Sequence, residues 1–160
     1  MRILAIDPGY ERLGIAVIEK TKGAKEALLY SDCFRTSPKD TFEHRLRSLG
    51  VEVEKIINDY SPEGLAIENL FITNNQKTAM RVAEVRGAII FIAAKNNLNI
   101  TEMTPLAIKL AVTGDGKSSK EQMIKMVELL IKINKPKMLD DEYDAIAAGL
   151  AYLALNKISL

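Results

Sequence analysis

The sequence lacks the features of a secreted or membrane protein. Cysteine occurs once, at Cys33 in a predicted strand, so no disulfide can form within the chain and we place this residue in the core. There is no apolar run long enough to span a membrane and no cleavable signal pattern at the start. The only histidine, His44, lies off the apolar stripe of its predicted helix, which favours a surface position. We therefore expect a cytoplasmic protein that does not associate with membranes.

An excess of charge of one sign is also absent. The 22 basic and 21 acidic residues leave a formal net charge of +1, so total charge does not indicate a nucleic-acid partner and only its distribution can. No linker rich in proline, serine or glycine divides the 160 residues, and a hydrophobic content of 48% is sufficient for a sizeable core. We predict a single domain over residues 1–160.

The apolar segments predict an α/β fold in which helices flank a five-stranded mixed sheet. The first three strands read as an antiparallel meander, and capping-box patterns at 40–43 and 118–121 mark the starts of two helices. In chain order we predict strands at 1–7, 14–19 and 27–35, a helix at 42–60, a strand at 65–68, a helix at about 75–96, a strand at 99–103, and helices at about 105–113, 118–133 and 140–157.

Two nearly identical apolar runs each end in a carboxylate, at Asp7 and at Glu68. The carboxyl ends of buried parallel strands open onto a crevice, where a carboxylate is costly unless a cation meets it. A third acidic run contains Asp141 and Asp144, whose spacing puts both on one face of the first turn of a helix. Acidic clusters that offer only oxygen ligands suit Mg²⁺ or Mn²⁺.

Each acidic residue alone has a purely local explanation. Asp7 precedes Pro-Gly and can serve a turn, and Asp141 or Asp144 can be a favoured first-turn residue of its helix. Glu68 is harder to explain, because an apolar strand has no local use for a terminal glutamate. Asp140 competes with Asp141 for a place among the ligands. Taken together, the acidic residues favour a metal site, because gathered carboxylates repel one another unless metal ions neutralise them.

The predicted helix at 75–96 is apolar on every side between 88 and 94. One interpretation is a fully buried central helix. The other is that a second face packs against a twin subunit, with the small residues Ala79, Ala83 and Gly87 allowing close approach.

Several motifs occur in a fixed order along the chain. They are Ile-Asp-Pro-Gly at 6–9, the apolar run at 13–18, Ala-Ile-Glu-Asn-Leu-Phe at 66–71, 83–88 with its Arg-Gly, the Gly- and Lys-containing loop at 114–120, and Asp-Glu-Tyr-Asp-Ala-Ile-Ala-Ala at 141–148. In combination they resemble the RuvC family of Holliday-junction resolvases from residue 3 to about residue 152. The resemblance implies an RNase H-like fold and a homodimer with one active site on each of two opposed strands of a four-way DNA junction.

The resemblance also implies site residues. Asp7, Glu68, Asp141 and Asp144 match the catalytic, metal-binding carboxylates, and the Asp-x-x-Asp spacing favours Asp141 over Asp140. They would hold two Mg²⁺ ions per subunit, for which Mn²⁺ can substitute, and hydrolysis would leave 5′-phosphate and 3′-hydroxyl ends.

DNA contacts follow from the same resemblance. Phe71 matches an aromatic residue that stacks on a base near the crossover, and Lys109 and Lys120 match basic positions near the DNA backbone, with Lys117 in the same basic loop. Core packing for Phe71 and solvated surface charge for the lysines remain alternatives. The family further suggests the branch-migration proteins RuvA and RuvB as partners, in homologous recombination and DNA repair.

Two other functions compete with junction resolution. A different RNase H-like nuclease, acting on pre-ribosomal RNA or on an RNA/DNA hybrid, would share the carboxylates, and a junction-binding module would lack catalysis. The loop containing Phe71, the basic loop at 114–120 and a dimeric state favour the resolvase. Acidic residues at all four catalytic positions argue against a module that only binds.

Overall fold

The structure, a computed structural model, describes residues 1–69 and 76–156. Its elements, in chain order, are β1 (Arg2–Asp7), β2 (Arg12–Glu19), β3 (Ala27–Arg35), α1 (Phe42–Tyr60), β4 (Gly64–Glu68), α2 (Gln76–Lys95), β5 (Asn99–Met103), α3 (Pro105–Thr113), α4 (Lys120–Leu130) and α5 (Asp140–Leu155). This order agrees with the predicted order of strands and helices.

The strands form one mixed sheet in the order β3-β2-β1-β4-β5. The strands β1, β2 and β3 pair antiparallel as a meander, whereas β1 pairs with β4, and β4 with β5, in parallel. The predicted α/β fold with a five-stranded mixed sheet and flanking helices is confirmed. Because β1 and β4 are parallel neighbours, their carboxyl ends lie side by side at one edge of the sheet.

Helices cover both faces of the sheet. Successive residues of β1 alternate between the two layers: Leu4 and Ile6 pack with α1 and α2, whereas Ile3 and Ala5 pack with α5. All four are fully buried, which explains why this strand reads as a continuous apolar run. Full burial of each large aliphatic side chain contributes about 1.5–3 kcal/mol.

The starts of two helices differ from their predicted capping boxes. The N-cap of α1 is Thr41, so Glu43 is the second helical residue rather than the third and cannot reach back, and no side chain caps this end. In α4 the box forms between Ser119 and Gln122, one residue later than predicted. The hydroxyl of Ser118 is not available for capping, because it is buried and donates to the carbonyl of Asp115 at 2.8 Å. This helix ends at 130 rather than 133.

Helix α2 has one buried and one exposed apolar face. Val85, Ile89 and Ala93 pack on the sheet, whereas Met80 and Phe91 are exposed, the latter by 69%. A fully buried central helix is therefore wrong for the isolated chain. Cys33 is buried and His44 is exposed, as predicted. No helix in the two described ranges is long and apolar enough to cross a membrane.

Candidate active site

Asp7 and Glu68 are the last residues of β1 and β4. The register pairs Ile6 with Ile67, so the two carboxylates follow directly at the same edge of the sheet. The apolar residues before them are fully buried, and both carboxylates lie where this buried layer meets the surface.

The start of α5 brings two more carboxylates, Asp141 and Asp144, to this edge. A glycine in β2 makes this approach possible: a Cβ at Gly14 would collide with the carbonyl oxygen of Asp141 and lie 3.2 Å from the Cβ of Asp7. Any larger residue would separate the helix from the end of β1. Gly14 therefore allows a helix carboxylate to lie beside a strand carboxylate.

Burial and neighbouring carboxylates shift the protonation of Asp7 and Glu68. Burial, followed by the negative charges of Asp144, Glu68 and Asp141, raises the pKa of Asp7 from its usual range to about 7. Burial also raises the pKa of Glu68, and the charge of Asp144 adds to this shift. The site thus carries more negative charge than its surroundings balance.

Two cationic side chains already contact the helix carboxylates. The Nζ of Lys120 donates to Oδ2 of Asp144 at 2.8 Å and lies 3.5 Å from Oδ2 of Asp140. Burial acts to lower the pKa of Lys120, but the hydrogen bond and charge of Asp144 outweigh it and the net shift is upward. Nη1 of Arg12 lies 3.5 Å from Oδ2 of Asp141.

The donor set fits a hard divalent cation in chemistry and charge. It offers carboxylate oxygens, and the burial and neighbouring negative charges that raise the pKa of Asp7 are what a bound divalent cation would offset. Within residues 1–69 and 76–156, no three acidic, histidine or cysteine side chains stand close enough together to hold an ion without rearranging. The ammonium group of Lys120 donates to Asp144, so a metal ion bound by Asp144 would have to displace it.

The structure distinguishes Asp141 from Asp140. Asp141 is 14% exposed at its side chain and contributes to the pKa shift of Asp7, whereas the side chain of Asp140 is 67% exposed and contacts only Lys120 among the ion pairs of the described residues. Of the two, Asp141 is brought next to Asp7.

Sequence reasoning missed the contacts that orient Asp141. The thiol of Cys33, on β3, donates to Oδ2 of Asp141 at 3.7 Å, the same oxygen that Arg12 approaches. Burial raises the pKa of Cys33, and the charge of Asp141 adds to the shift, so the thiol stays protonated and remains a donor. Nothing in the sequence indicated that Arg12 or Cys33 contacts Asp141, because both contacts join segments far apart in the chain.

Glu142 was also missed, although it lies between the two helix carboxylates. It is 5% exposed, and its Oε2 accepts from Nζ of Lys135 at 2.8 Å and from Oγ of Ser31 at 3.1 Å. Its Oε1 accepts from the backbone N–H of Leu139 at 3.3 Å, and Lys135 also donates to the carbonyl of Ser31 at 2.7 Å. This clamp fastens the first turn of α5 to β3. The sequence offered one signal for this role: Glu142 stands three residues after Leu139, the residue before the helix, which is the spacing of a capping box.

The predicted DNA-contacting residues have different placements. Lys109 and Lys120 line one cavity of about 200 Å³ together with Glu68 and Asp144, beside the carboxylates. Lys117 is exposed in the turn before α4 and does not line this cavity, and its backbone N–H donates to Oδ1 of Asp115 at 2.9 Å. Phe71 lies outside the described residues.

Comparison with known proteins gives a consistent result. Residues 3–152 match the family described as crossover junction endodeoxyribonuclease RuvC. A protein of that description from Natranaerobius thermophilus is 39% identical over 152 residues, which cover 95% of this chain and 94% of that protein. A second, from Moorella thermoacetica, is 38% identical over 152 residues, which cover 95% of this chain and 90% of that protein. The RuvC structure of Thermus thermophilus in complex with a Holliday junction substrate superposes with a TM-score of 0.91 at 25% identity, over 98% of this chain and 95% of that one.

Proposed function

This chain belongs to the RuvC family of crossover junction endodeoxyribonucleases, and on that premise we propose that Asp7, Glu68, Asp141 and Asp144 form its catalytic site. It is an endonuclease that resolves four-way DNA junctions and thereby acts in homologous recombination and DNA repair. The observation that carries the site assignment is the meeting of two strand carboxylates and two helix carboxylates at one edge of the sheet, where burial and mutual repulsion raise the pKa of Asp7 to about 7.

Nucleases of this family depend on a metal, and we propose Mg²⁺, two ions per subunit, with Mn²⁺ able to substitute. Asp7, Glu68, Asp141 and Asp144 would hold them. The bound metal would supply a water of lowered pKa and charge stabilisation for the leaving 3′-oxygen, so that hydrolysis gives 5′-phosphate and 3′-hydroxyl ends.

The chain's own residues prepare this chemistry. Arg12 and Cys33 orient one oxygen of Asp141, and the Glu142 clamp fixes the helix turn that carries Asp141 and Asp144. Lys120 moves from Asp144 to a phosphate of the substrate, where with Lys109 it offsets the negative charge of the incoming strand. Phe71 stacks on a base near the crossover, and Lys117 makes an outer backbone contact.

Paired cleavage requires two active sites, and we propose that they come from a homodimer. The exposed face of α2 supports this proposal, because the apolar side chains of Met80 and Phe91 lie on it together with the small residues Ala83 and Gly87. RuvA and RuvB as partners, which the family suggests, belong to the same proposal, as do action in the cytoplasm and a single nuclease domain over residues 1–160.

The decisive experiment compares substrates. We expect Mg²⁺-dependent, paired nicks on a synthetic four-way junction, with ends that a ligase can seal, and little cleavage of a linear duplex or an RNA/DNA hybrid of the same sequence. The matched controls are Asp144→Asn, which should abolish nicking, and its neighbour Asp140→Asn, which should not. Preferential cleavage of the hybrid would point instead to the RNA-directed nuclease, and binding without cleavage to the non-catalytic module.

A further inference from the structure

A second cavity lies on the α1 and α2 side of the sheet. It has a volume of about 340 Å³ and is lined by Tyr10, Phe42, Arg45, Thr78 and Arg81. Two of these residues carry guanidinium groups and two carry aromatic rings, and none is acidic. None of them belongs to the carboxylate site or to the predicted set of DNA contacts.

Arg45 is a nearly buried cation that forms no ion pair with a described residue. It is 9% exposed, its Nε donates to Oγ1 of Thr36 at 2.7 Å, and its guanidinium carbon lies 4.8 Å above the Tyr10 ring. Among the ion pairs formed by residues 1–69 and 76–156, none includes Arg45. Burial of a charge without a counter-charge is unfavourable, so this position favours the arrival of an anion.

Arg45 lines the cavity and has N–H donors that no described residue accepts. Every fully buried side-chain nitrogen or oxygen in the described ranges has a hydrogen-bond partner. The terminal nitrogens of Arg45 have no acceptor among those residues, so they are the part of the side chain that the cavity exposes. A guanidinium group presents several N–H donors in one plane, a geometry that matches the oxygens of a phosphate.

Arg81 supplies a second guanidinium group to the same cavity. Its guanidinium carbon lies 3.9 Å above the ring of Phe42, and its ion pair with Glu84 at 3.0 Å is half-exposed and therefore weak. The two rings meet edge to face with centroids 6.3 Å apart, so they form a common support for both arginines.

The cavity lined by Arg45 and Arg81 adjoins the edge of the sheet that carries the carboxylates. Tyr10 lies in the turn that follows Asp7, at the edge of the sheet where the carboxylates meet. The cavity lined by Lys109 and Lys120 is formed by α3, α4 and α5 on the opposite face. Positive groups therefore stand on both sides of the carboxylates, as a strand that crosses them would require.

We propose that this cavity, the Arg45–Arg81 site, binds a phosphate group of the DNA strand near the scissile bond. The proposal rests on the proposed function, since the strand is placed by the carboxylates. The anion that the cavity recognises is a phosphate. It could belong to a nucleic-acid backbone or be free phosphate, and the experiment distinguishes the two.

The experiment measures the affinity of the protein for a four-way junction in metal-free buffer as a function of KCl concentration. Arg81→Gln and Arg45→Gln should each lose one phosphate contact. Junction binding by either variant should weaken by about tenfold at moderate salt, and the slope of log K against log salt should fall by about one unit. Arg45→Lys, which keeps the charge but loses the planar donors, should fall between these variants and the wild type.

The matched control is Lys55→Gln. Lys55 is an exposed cation on α1 and, like Arg81, pairs with a glutamate of its own helix, but it lies toward the opposite edge of the sheet. Its slope should equal that of the wild type. If Arg45→Gln fails to fold, Arg81→Gln decides the result, because its side chain is half-exposed.

An unchanged slope in Arg81→Gln and in the folded Arg45 variants would overturn the proposal. Thermal melts with inorganic phosphate, matched in ionic strength with KCl, test whether the cavity binds free phosphate. If phosphate stabilises the wild type while the junction slopes stay unchanged, the cavity binds a small free anion. That result would also overturn the proposal. Nicking of the same junction with Mg²⁺ is measured in parallel. Absent nicking by the wild type contradicts the proposed function, whereas normal nicking with unchanged slopes contradicts only the Arg45–Arg81 site.

Discussion

The strand carboxylates and the helix carboxylates of the proposed active site have different surroundings. Asp7 and Glu68 end buried strands, and burial is the first cause of the rise in both pKa values. Asp141 and Asp144 lie near the start of α5, where each has a cation within 3.5 Å, Arg12 for the former and Lys120 for the latter. The protein balances the charge of its helix carboxylates and leaves the strand carboxylates without an ion pair among its described residues.

Because their surroundings differ, we infer that the two pairs of carboxylates have different roles in metal binding. The strand carboxylates create the demand for a metal ion, because they cannot both be charged at low cost until an external cation arrives. In the proposed site the helix carboxylates would bind the metal ion by exchange, since Lys120 donates to Asp144 and would have to leave it. Substitutions in the two groups should therefore have different effects on protonation, stability and catalysis.

The largest effect should come from Asp7→Asn. This change removes the most central carboxylate, so we expect nicking of a four-way junction to fall by about 10³-fold or more, while junction binding is kept or tightened because a negative charge facing the phosphates is lost. Single-turnover cleavage and junction binding measure the two parts. Asp140→Asn is the control and should cut like the wild type; inactivity of that variant would mean that Asp140, not Asp141, is the ligand.

The pH dependence of stability should reveal the strand carboxylates in metal-free protein. Asp7 has an ordinary pKa near 4 when unfolded and a pKa of about 7 when folded, so the folded state binds its proton more tightly. The stability from this group is present below about pH 4 and is lost as the pH rises to about 7, by about 2–4 kcal/mol in all. Urea melts at a series of pH values test this.

Asp7→Asn is again the informative variant for this profile. It should flatten the decline between pH 4 and 7 and be more stable than the wild type at pH 8 without metal. Saturating Mg²⁺ should restore stability to the wild type at pH 8 but have a smaller effect on the variant. A variant that loses stability with pH as steeply as the wild type would place the titration elsewhere.

A smaller loss is expected from Glu142→Gln, which breaks the clamp under the helix carboxylates. Lys135 is partly exposed and can reach water when its partner is lost, so the free energy of unfolding should fall by about 1–3 kcal/mol rather than by the full cost of a buried pair. Metal affinity should also fall, because Asp141 and Asp144 lose their fixed helix turn. Calorimetric Mn²⁺ titration beside urea melts measures both. Unchanged Mn²⁺ affinity in a destabilised variant would make Glu142 a purely structural residue.

Phe71 should show the smallest effect on stability. It follows Glu68, and we predict that it stacks on a base at the crossover, a contact worth about 1–3 kcal/mol. Phe71→Ala should therefore lose much of its junction cleavage at saturating protein yet unfold at nearly the wild-type urea midpoint. A core phenylalanine would instead cost about 3–5 kcal/mol of stability on truncation.

Local patterns in the sequence predicted the strand ends and the spacing of the helix carboxylates, because both depend on residues that are neighbours in the chain. The antiparallel meander of the first three strands was also predicted from the sequence, whereas the order of all five strands in the sheet came only from the structure. The contacts of Asp141 with Arg12 and Cys33, and of Glu142 with Ser31, could not be predicted, since they join β2 or β3 to α5 across more than a hundred residues. The α4 capping box was one residue off because the hydroxyl of Ser118 serves a turn that only the folded loop defines.

If the strand carboxylates need a metal ion to be charged together, metal binding must release a proton from them. Calorimetric titration with Mn²⁺ at pH 6 in two buffers of different ionisation enthalpy gives the number of protons released on binding. We expect release of about one proton per subunit at pH 6, almost none at pH 9, and loss of this release in Asp7→Asn. Tight Mn²⁺ binding at pH 6 without proton release, or with the same release from Asp7→Asn, would contradict this requirement for a metal ion.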